Sequence, residues 1–475
     1  MSDPSELSDR VADAAELLEQ ILEDRGLLAY IDEPLQRRLL MAAGRVARPT
    51  TQDRRRLRHE RARKKRNDVK DHDAALASNA QIRRLRENQI FQTPRRQNPD
   101  AKLPATLGSF TKERICYVCH EPYRELHFFY DQLCPTCGDF NYRKRCPEGD
   151  LTGRIALVTG ARVKIGYHAA ILLLRSGCRV IVWTRFPQDA AHRYANEPDF
   201  EQWRDRLEIA GIDLRRIGDV EDLCAQMVDR LPHLDFIINN ACQTVRRPPG
   251  FYDHLLRGEL PDGGGEVARL LPYRGSGAEA SVWSSLPLLP GDQDRTAFPA
   301  GRLDADLQQV DERMVNSWRL RLDEVAPVEL LEVHLVNAMA PFLINARLKP
   351  LMQRVRTPDK HIVNVSAMEG QFYRTFKSDR HPHTNMAKAS LNMMTRTSAP
   401  DYLRDGVHMN SVDTGWVTDE DPVHHAERKR EQHNFHPPLD VVDGAARIVD
   451  PIFDGLATHE HVWGQFLKDY KPTDW

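Results

Sequence analysis

The segment 154–166, RIALVTGARVKIG, constrains the fold of this chain more than any other stretch. Its aliphatic run 155–158 predicts a strand that is buried on both faces, as in a parallel sheet. Thr159 and Gly160 then predict a tight turn into a helix that begins near Ile165. N–H groups at a helix N-terminus attract anions, and glycine lets a phosphate approach them closely. The segment therefore predicts a phosphate-binding loop, or a helix that only packs closely on a sheet.

Strand and helix patterns alternate along the rest of the C-terminal part of the chain. The helical pattern continues over 169–174, a second buried strand is predicted at 179–183, and another strand ends at 235–238. Repeated strand–helix–strand units predict an α/β class fold with a doubly wound parallel sheet. In such folds the ligand crevice lies at the carboxyl edge of the sheet.

The first 105 residues predict two further segments. Apolar residues repeat every three or four positions over 5–46, which predicts a helical hairpin over 1–50. Residues 51–105 predict a basic and polar linker that contains the run RRRLRHERARKKR at 54–66. This run could be an arm for nucleic acid or a solvated helix or linker. We favour the solvated segment, because no aromatic residues are interleaved for base stacking.

Two C-x-x-C pairs, Cys116 with Cys119 and Cys134 with Cys137, predict a small metal-binding module over 106–150. Four thiolates at this spacing satisfy a tetrahedral Zn²⁺ and leave no open coordination position, so we expect a structural zinc. His120 and His127 are close enough in sequence to replace a cysteine ligand. Redox use of either pair is the less favoured alternative.

Composition limits the partners and the location of the protein. The formal net charge is −2 over 475 residues, with a pI near 6.8. This balance provides no global field for nucleic acid or for an acidic membrane surface. The N-terminus is polar, and no run reaches the roughly 18 apolar residues that span a bilayer. We therefore expect a cytoplasmic protein that binds neither nucleic acid nor membrane.

Further motifs follow the glycine loop in a fixed order. They are Asp219-Val220, Asn239-Asn240-Ala241, Leu335-Val336-Asn337, Ile362-Val363-Asn364-Val365-Ser366 and Asn410-Ser411-Val412-x-Thr414-Gly415-Trp416-Val417. In this order and spacing, the chain from about 151 to 465 resembles the short-chain dehydrogenase/reductase family. The resemblance implies a Rossmann domain over 151–475 that binds a nicotinamide cofactor. It does not cover the first 150 residues.

The resemblance also implies a set of cofactor-binding residues. They are Thr159, Gly160, Arg162, Lys164, Ile165, Gly166, Arg185, Asp219, Val220, Asn240, Ala241, Lys388, Thr414, Gly415 and Val417. Lys164 stands where the family has its middle glycine. Arg185 follows the second strand, where a carboxylate would bind the ribose 2′-OH of NAD and a guanidinium suits the 2′-phosphate of NADP. We predict NADP(H); the alternative is that Arg185 faces solvent.

At the catalytic positions the chain departs from the family. The resemblance implies an asparagine, a serine, a tyrosine and a lysine, of which Asn337 and Lys388 match. Thr384 stands in place of the tyrosine. The serine position falls on Ala367, and only Ser366 remains nearby. A threonine hydroxyl titrates far from neutral pH and cannot replace tyrosine as acid or base.

Other residues of the same region could supply the proton. A second Tyr-x(3)-Lys, Tyr373 to Lys377, lacks the helical continuation that follows Lys388, so we interpret it as coincidence, although its segment could fold back into the site. Glu369, His381 and His383 offer acid–base groups, but the simpler interpretation is that they are exposed loop residues.

A long insertion over about 243–319 interrupts the family pattern. It contains Pro248-Pro249 and the glycine run 263–265. Long loops at the carboxyl edge of a sheet most often cover the substrate pocket, and an interaction surface is the alternative. Arg246 and Arg247 make an anionic substrate plausible.

Two functions follow from these features. The first is a divergent NADP(H)-dependent oxidoreductase acting on a carbonyl or alcohol substrate. The second is a catalytically inactive NADP(H)-binding sensor or scaffold that engages a protein partner through its zinc module and N-terminal helices. The resemblance also implies homo-oligomers formed through the helices around Asn337 and Lys388, which the insertion could block or remodel.

Overall fold

The computed structural model describes residues 4–88, 90–91, 93–94, 102–259, 269–273, 277–373, 377–418, 420–433 and 435–475. The chain divides into two compact units, Met1–His72 and Asp73–Trp475. The glycine run 263–265 of the insertion lies outside the described residues.

The N-terminal unit is helical, as predicted. Helix α1 spans Pro4–Glu23, a 3-10 turn spans Arg25–Tyr30, and α2 spans Glu33–Ala47. Helix α2 begins after Asp32, whose carboxylate accepts a hydrogen bond from the N–H of Leu35.

The predicted linker is largely helix instead. Helix α3 spans Thr51–Ser78, and the short α4 spans Gln81–Leu85. The arginine-rich run 54–66 is exposed along its whole length, which fits the solvated interpretation. Part of the predicted linker, 95–101, lies outside the described residues.

The cysteine-containing segment forms a compact module. Strands β1 (Gly108–Ile115) and β2 (Pro122–Leu126) pair as an antiparallel hairpin, and α5 spans Pro135–Lys144. Aromatic residues such as Phe128 and Tyr130 fill its core. Because the same cluster contains residues from near the C-terminus, the module shares a core with the Rossmann domain.

The Rossmann domain is built on one eight-stranded sheet. Its strands are β3 (Ile155–Thr159), β4 (Arg179–Thr184), β5 (Leu207–Gly211), β6 (Phe236–Asn239), β7 (Lys360–Ser366), β8 (Val407–Asp413), β9 (Phe466–Lys468) and β10 (Lys471–Thr473). The order is β10-β9-β8-β7-β6-β3-β4-β5, and β10 alone runs antiparallel to its neighbour. The strand order reverses between β3 and β6, so this doubly wound sheet has its ligand crevice there.

Helices cover both faces of the sheet. Their bounds are α6 (Lys164–Arg175), α7 (Pro187–Ala195), α8 (Ile217–Arg230), α9 (Asp253–Leu256), α10 (Gly277–Ser284), α11 (Pro327–His334), α12 (Ala340–Gln353), α13 (Pro382–Leu403), α14 (Val423–His433) and α15 (Val441–Thr458). Helices α6 and α15 pack on one face, while α8 and α12 pack on the other. A turn of π-helix, Leu335–Met339, joins α11 to α12.

One helical stretch in the described part of the chain has the length and hydropathy of a membrane span. It is Pro327–Gln353, which covers α11, the π-helical turn and α12. Ile344, Leu348 and Leu351 are fully buried in the core beside α8. The α12 part of this stretch therefore contributes to the core of the domain.

Candidate functional site

A cavity of about 1640 Å³ lies at the carboxyl edge of the sheet. Most of the residues predicted from the sequence line it. They are Gly160, Arg162, Lys164, Ile165, Gly166, Arg185, Asn240, Ala241, Ser366, Lys388, Thr414, Gly415 and Val417. The structure therefore brings the glycine loop, the lysine of α13 and the loop after β8 to one space.

Gly160 and Gly166 are required by close packing at the start of this loop. Gly160 has φ +68°, and a Cβ there would lie 2.7 Å from the Cα of Ala241. A Cβ on Gly166 would lie 2.6 Å from the carbonyl oxygen of Gly160. Asn240 donates from Nδ2 to the carbonyl oxygens of Thr159 and Gly160, both at 3.1 Å. Thr159 is outside the cavity lining, and its hydroxyl accepts a hydrogen bond from the N–H of Ala241.

The N-terminus of α6 opens into the cavity. Val163 precedes the helix without a side-chain capping bond, and residues 163–166 line the cavity. N–H groups of a helix's first turn have no partner within the helix, so they can bind an anion. Lys164 adopts φ +56°, a conformation that its family glycine would adopt more readily.

The ammonium of Lys164 is held in its charged form. Burial lowers the pKa of Lys164, but the carboxylates of Glu420, Asp306 and Asp304 raise it by more, so its pKa lies above the ordinary value. A lysine here therefore adds positive charge to the helix N-terminus.

Two arginines flank this end of the cavity and differ in their partners. Arg162 donates to Asp189 at 2.6 Å and to Gln308 at 2.5 Å. Arg185 donates to the hydroxyl of Tyr252 at 2.9 Å, with its guanidinium 4.8 Å from that ring's centroid. Among the described residues, no carboxylate pairs with Arg185. It is the arginine whose charge remains available to a ligand.

The structure does not bring Asp219 and Val220 to the cavity. Asp219 lies in the first turn of α8 and pairs with Arg216 at 3.0 Å, while Val220 is buried in the core. Asp213 and Leu214 line the cavity instead, because they directly follow the end of β5. The short strand β5 gave too weak a pattern to place these residues at its end.

Lys388 and Ser366 meet at the next part of the cavity. Lys388 donates from Nζ to the carbonyl oxygen of Val365 at 2.7 Å. Ser366, the last residue of β7, donates from Oγ to Oδ1 of Asn392 at 2.6 Å. The lysine is thus fixed beside the end of β7.

Asn337 is a positioning residue outside the cavity lining. It is buried in the π-helical turn, where its Oδ1 accepts from the N–H of Gln243 at 2.7 Å and its Nδ2 donates to the carbonyl oxygen of Gln243 at 3.1 Å. Gln243 itself lines the cavity. Asn337 therefore holds the start of the insertion in place.

Thr384 does not line the cavity, contrary to the sequence alignment. It is 2% exposed in the first turn of α13, and its hydroxyl has no hydrogen-bond partner among the described residues.

The first turn of α13 packs against α11, where Nε2 of His383 lies 3.5 Å from Glu329. His381 stacks on Trp318 with ring centroids 3.8 Å apart. Neither histidine lines the cavity.

Tyr373 does line the cavity, as does Glu369. The hydroxyl of Tyr373 lies 3.4 Å from Oγ1 of Thr473. Lys377 binds backbone instead, since its Nζ donates to the carbonyl oxygens of Met368 and Glu369. The second Tyr-x(3)-Lys therefore brings its tyrosine, and not the pair, to the site.

Sequence reasoning passed over Asp413, the last residue of β8. It lines the cavity, is 5% exposed, and is the register partner of Ser366 on β7. Burial, followed by the charges of Asp469 and Glu369, raises the pKa of Asp413 to about 6. A charged residue at the end of an otherwise buried strand was the available signal.

The four-cysteine module forms one wall of the cavity. Tyr117 and His120 line it, and the hydroxyl of Tyr117 accepts from the N–H of Trp416 at 2.9 Å. Arg86 donates to the carbonyl oxygens of Pro437 and Leu439, at 2.7 and 3.0 Å. Within the unit Asp73–Trp475, these bonds connect its N-terminal part to the segments that follow β8.

The four predicted cysteines come together. The Sγ atoms of Cys116, Cys119, Cys134 and Cys137 all lie within 4.8 Å of one another, and those of Cys119 and Cys134 are 3.8 Å apart. A tetrahedral ion with metal–sulfur bonds of about 2.3 Å places sulfur atoms about 3.8 Å apart. The cluster therefore fits a metal ion.

The two candidate histidines do not join this cluster. Nδ1 of His127 accepts from the N–H groups of Phe129 and Tyr130, and its Nε2 faces Asp139 at 3.2 Å. His120 lines the cavity instead.

Two family models match the chain. A model described as short chain dehydrogenase matches residues 154–253, and one described as enoyl-(acyl carrier protein) reductase matches residues 316–440. These matches flank the long insertion.

Relatives and solved structures show similarity of different extents. An uncharacterized protein of Acanthamoeba polyphaga mimivirus is 30% identical over 380 residues, which cover 75% of each chain. That stretch is longer than 151–475, so it extends into the first 150 residues. The WW domain-containing oxidoreductase of Drosophila melanogaster is 35% identical over 95 residues, 19% of this chain and 23% of that protein. The structure of NADPH-bound carbonyl reductase from chicken fatty liver aligns with a TM-score of 0.43 at 17% identity, covering 68% of this chain and 100% of that chain.

Proposed function

Because the chain belongs to the short-chain dehydrogenase/reductase family, we propose that it is an NADP(H)-dependent oxidoreductase that interconverts a carbonyl compound and an alcohol. The observation that carries the proposal is the shared cavity, in which the uncapped N-terminus of α6 and the ammonium of Lys388 face one space. The end of the cavity at the N-terminus of α6 suits a phosphate. The end at Lys388 suits the reacting groups of cofactor and substrate.

The residues of the cavity fit a phosphorylated dinucleotide. Residues 163–166 offer backbone N–H groups and the charge of Lys164 to the pyrophosphate. Arg185 offers its guanidinium to the 2′-phosphate of NADP. Lys388 and residues 414–417 would hold the nicotinamide half. When bound, the nicotinamide supplies or accepts a hydride.

The insertion suggests the character of the substrate. Arg247 lines the cavity but is paired with Asp311, and Arg246 is buried between Asp292 and Glu332. Because both arginines are neutralised, they do not favour an anionic substrate. We infer a neutral aldehyde, ketone or alcohol.

A turnover experiment tests the proposed activity. Protein loaded with NADPH is mixed with a broad panel of aldehydes and ketones, and the nicotinamide absorbance is followed through a single turnover. We expect oxidation of the bound NADPH with at least one member of the panel, and loss of that reaction in Lys388→Met. NADPH that stays reduced with every compound would contradict the proposal.

The second candidate function is an NADP(H)-binding sensor without catalysis. It is favoured by Ala367 at the family serine position and by Thr384, which is buried away from the cavity. The N-terminal helices expose Leu7, Val11 and Leu22, which could contact a protein partner. Tight NADPH binding with no turnover in the panel is the result that selects this function.

We further propose that the cysteine cluster binds a structural Zn²⁺. Four thiolates fill its coordination, so the ion has no position for a substrate. None of the eight cysteines of the chain forms a disulfide, which suits a reducing compartment such as the cytoplasm. Metal analysis of the purified protein should find one zinc per chain, and protein purified without zinc would contradict the assignment.

A further inference from the structure

Asp413 occupies a position that the proposed chemistry can use. It ends β8 at the carboxyl edge of the sheet, opposite Ser366 in the register of β7 and β8. Lys388 reaches the same edge, because its Nζ binds the carbonyl oxygen of Val365, the residue before Ser366. All four residues of this corner line the cavity: Val365, Ser366, Lys388 and Asp413.

Asp413 is 5% exposed and lines the cavity, and none of the described residues donates a hydrogen bond to its carboxyl group. A buried carboxylate is normally paired or hydrogen-bonded, because its desolvation is otherwise costly. The nearby cations are engaged elsewhere: Arg447 and Lys468 both donate to Asp469, at 3.0 and 2.9 Å. An unpaired acid facing a cavity is therefore available to a ligand.

Charged and titratable groups face Asp413 from each neighbouring element. Asp469 belongs to the turn between β9 and β10, Glu369 follows β7, and both disfavour its ionised form. Lys468 and Arg447 favour the ionised form, but burial outweighs them. The phenol of Tyr117 faces Asp413 from the four-cysteine module. Burial, followed by the charges of Asp469 and Glu369, raises the pKa of Asp413 to about 6, in the range that suits general acid–base catalysis.

The other candidates are less suitable as proton donors. Thr384 lies outside the cavity, and so do His381 and His383. Tyr373 lines the cavity but is 47% exposed, with its hydroxyl beside Thr473. Glu369 lines the cavity but is only half-buried, whereas Asp413 is buried at the corner that Lys388 reaches.

We propose that Asp413 is the catalytic acid and base of this site, an assignment that rests on the proposed oxidoreductase function. In reduction, the bound nicotinamide would supply a hydride to the carbonyl carbon of the substrate, and the π electron pair of the carbonyl would move to its oxygen. That oxygen takes the proton from the Asp413 carboxyl, which forms the alcohol and leaves NADP⁺ and a carboxylate. A proton taken up from bulk solvent then restores the carboxyl group. In oxidation, the same carboxylate accepts the hydroxyl proton.

The test compares Asp413→Asn with Asp450→Asn. Asp450 is a matched control, because its carboxyl is only 13% exposed and its pKa is also raised to about 6, but it pairs with Lys144 outside the cavity. Reduction and oxidation rates are measured against pH, and NADPH affinity is measured by fluorescence. The aspartate carboxyls are also titrated by ¹³C NMR, with thermal unfolding to check the fold of each variant.

We expect Asp413→Asn to lose roughly 10²-fold or more in kcat, as for removal of a general acid, with NADPH affinity unchanged. Wild-type reduction should fall as pH rises through about 6, and oxidation should rise over the same range. One carboxyl resonance that titrates near pH 6 should vanish in Asp413→Asn, while Asp450→Asn keeps its activity.

Each other outcome overturns the assignment in a distinct way. If wild type and Asp413→Asn turn over equally, Asp413 is not the acid, although the oxidoreductase function stands. If Asp413→Asn loses NADPH binding together with activity, the residue serves binding and not proton transfer. If wild type binds NADPH and reduces nothing in the panel, the proposed function fails, and the assignment fails with it.

Discussion

Arg185 is the residue that should decide between the two nicotinamide cofactors. Its guanidinium lines the cavity after β4 and has no carboxylate partner among the described residues. A charge-assisted hydrogen bond contributes about 1.5–3 kcal/mol, and NADP differs from NAD by the 2′-phosphate alone. The arginine therefore acts on one cofactor and not on the other.

Replacing Arg185 with alanine should weaken NADPH binding about 10- to 100-fold and leave NADH binding nearly unchanged. Calorimetric titration with both cofactors measures the two effects. The control is Arg204→Ala, which removes an arginine outside the cavity that pairs with Glu201. Equal losses for the two cofactors would contradict the predicted NADP preference.

The raised pKa of Asp413 should also make the free energy of unfolding depend on pH. Its pKa is raised from 3.8 to about 6 by folding, so the folded protein holds this proton more tightly than the unfolded chain. The stabilising effect is complete below pH 3.8 and is lost as pH rises through about 6. At alkaline pH, Asp413→Asn should therefore be more stable than wild type, by roughly 2–3 kcal/mol at most.

Thermal unfolding of Asp413→Asn and wild type across this pH range measures the difference. Below pH 3.8 the two proteins should unfold at nearly the same temperature, which serves as the internal control. A variant that is less stable than wild type at alkaline pH would show that the carboxylate has a stabilising partner.

Individual site residues were predictable where one backbone position decides their role. Gly160 and Gly166 are needed by close contacts, and Lys388 follows from its place in a helical motif. Thr384 could not be placed from the motif, because the packing of α13 on α11 decides which side chains of its first turn reach the cavity. Motif spacing contains no information about that packing.

The four-cysteine module is the element that links the N-terminal part of this unit to the cofactor cavity. Tyr117, next to Cys116, holds the N–H of Trp416 in the loop after β8. Gly415 in that loop adopts φ +76°, and a Cβ there would lie 2.5 Å from Leu439. A metal ion that fixes the cysteines would therefore also fix this loop.

Removal of the metal, or Cys134→Ser, should weaken NADPH binding although no cysteine ligand lines the cavity. We expect a loss of roughly tenfold or more, which corresponds to about one lost hydrogen bond of 1.4 kcal/mol. Metal content and NADPH affinity are measured on the same samples. Cys146→Ser, which changes a free thiol outside the cluster, is the control. Metal-free protein that binds NADPH with normal affinity would show that the module does not affect cofactor binding.

Helix α3 is an element that apolar periodicity does not predict. Its run 54–66 is rich in Arg, Lys and Glu, which are good helix formers. The run has no apolar stripe, however, and periodic apolar residues were the signal used to find helices. Apolar periodicity therefore predicts the hairpin over 1–50, whereas for the run 54–66 it leaves a solvated helix and a linker as alternatives.

The Rossmann fold was predictable because β3, β4 and β6 are apolar runs in a repeating strand–helix order and the family motifs follow them in sequence. The arrangement of the insertion was not predictable. Its contacts, such as Gln308 with Arg162 and Tyr252 with Arg185, join residues far apart in sequence through polar side chains. Apolar periodicity cannot reveal such contacts, and they determine which charges of the cavity remain available.

Transfer of deuterium from NADPH to the product tests the central claim most directly. NADPH is labelled in turn at each of the two C4 hydrogens, and the alcohol formed from the best carbonyl substrate is examined by mass spectrometry. If the nicotinamide transfers a hydride in this cavity, one of the two labels should give an alcohol that contains deuterium at the carbinol carbon. Deuterium that reaches the alcohol from neither label would contradict hydride transfer in this cavity.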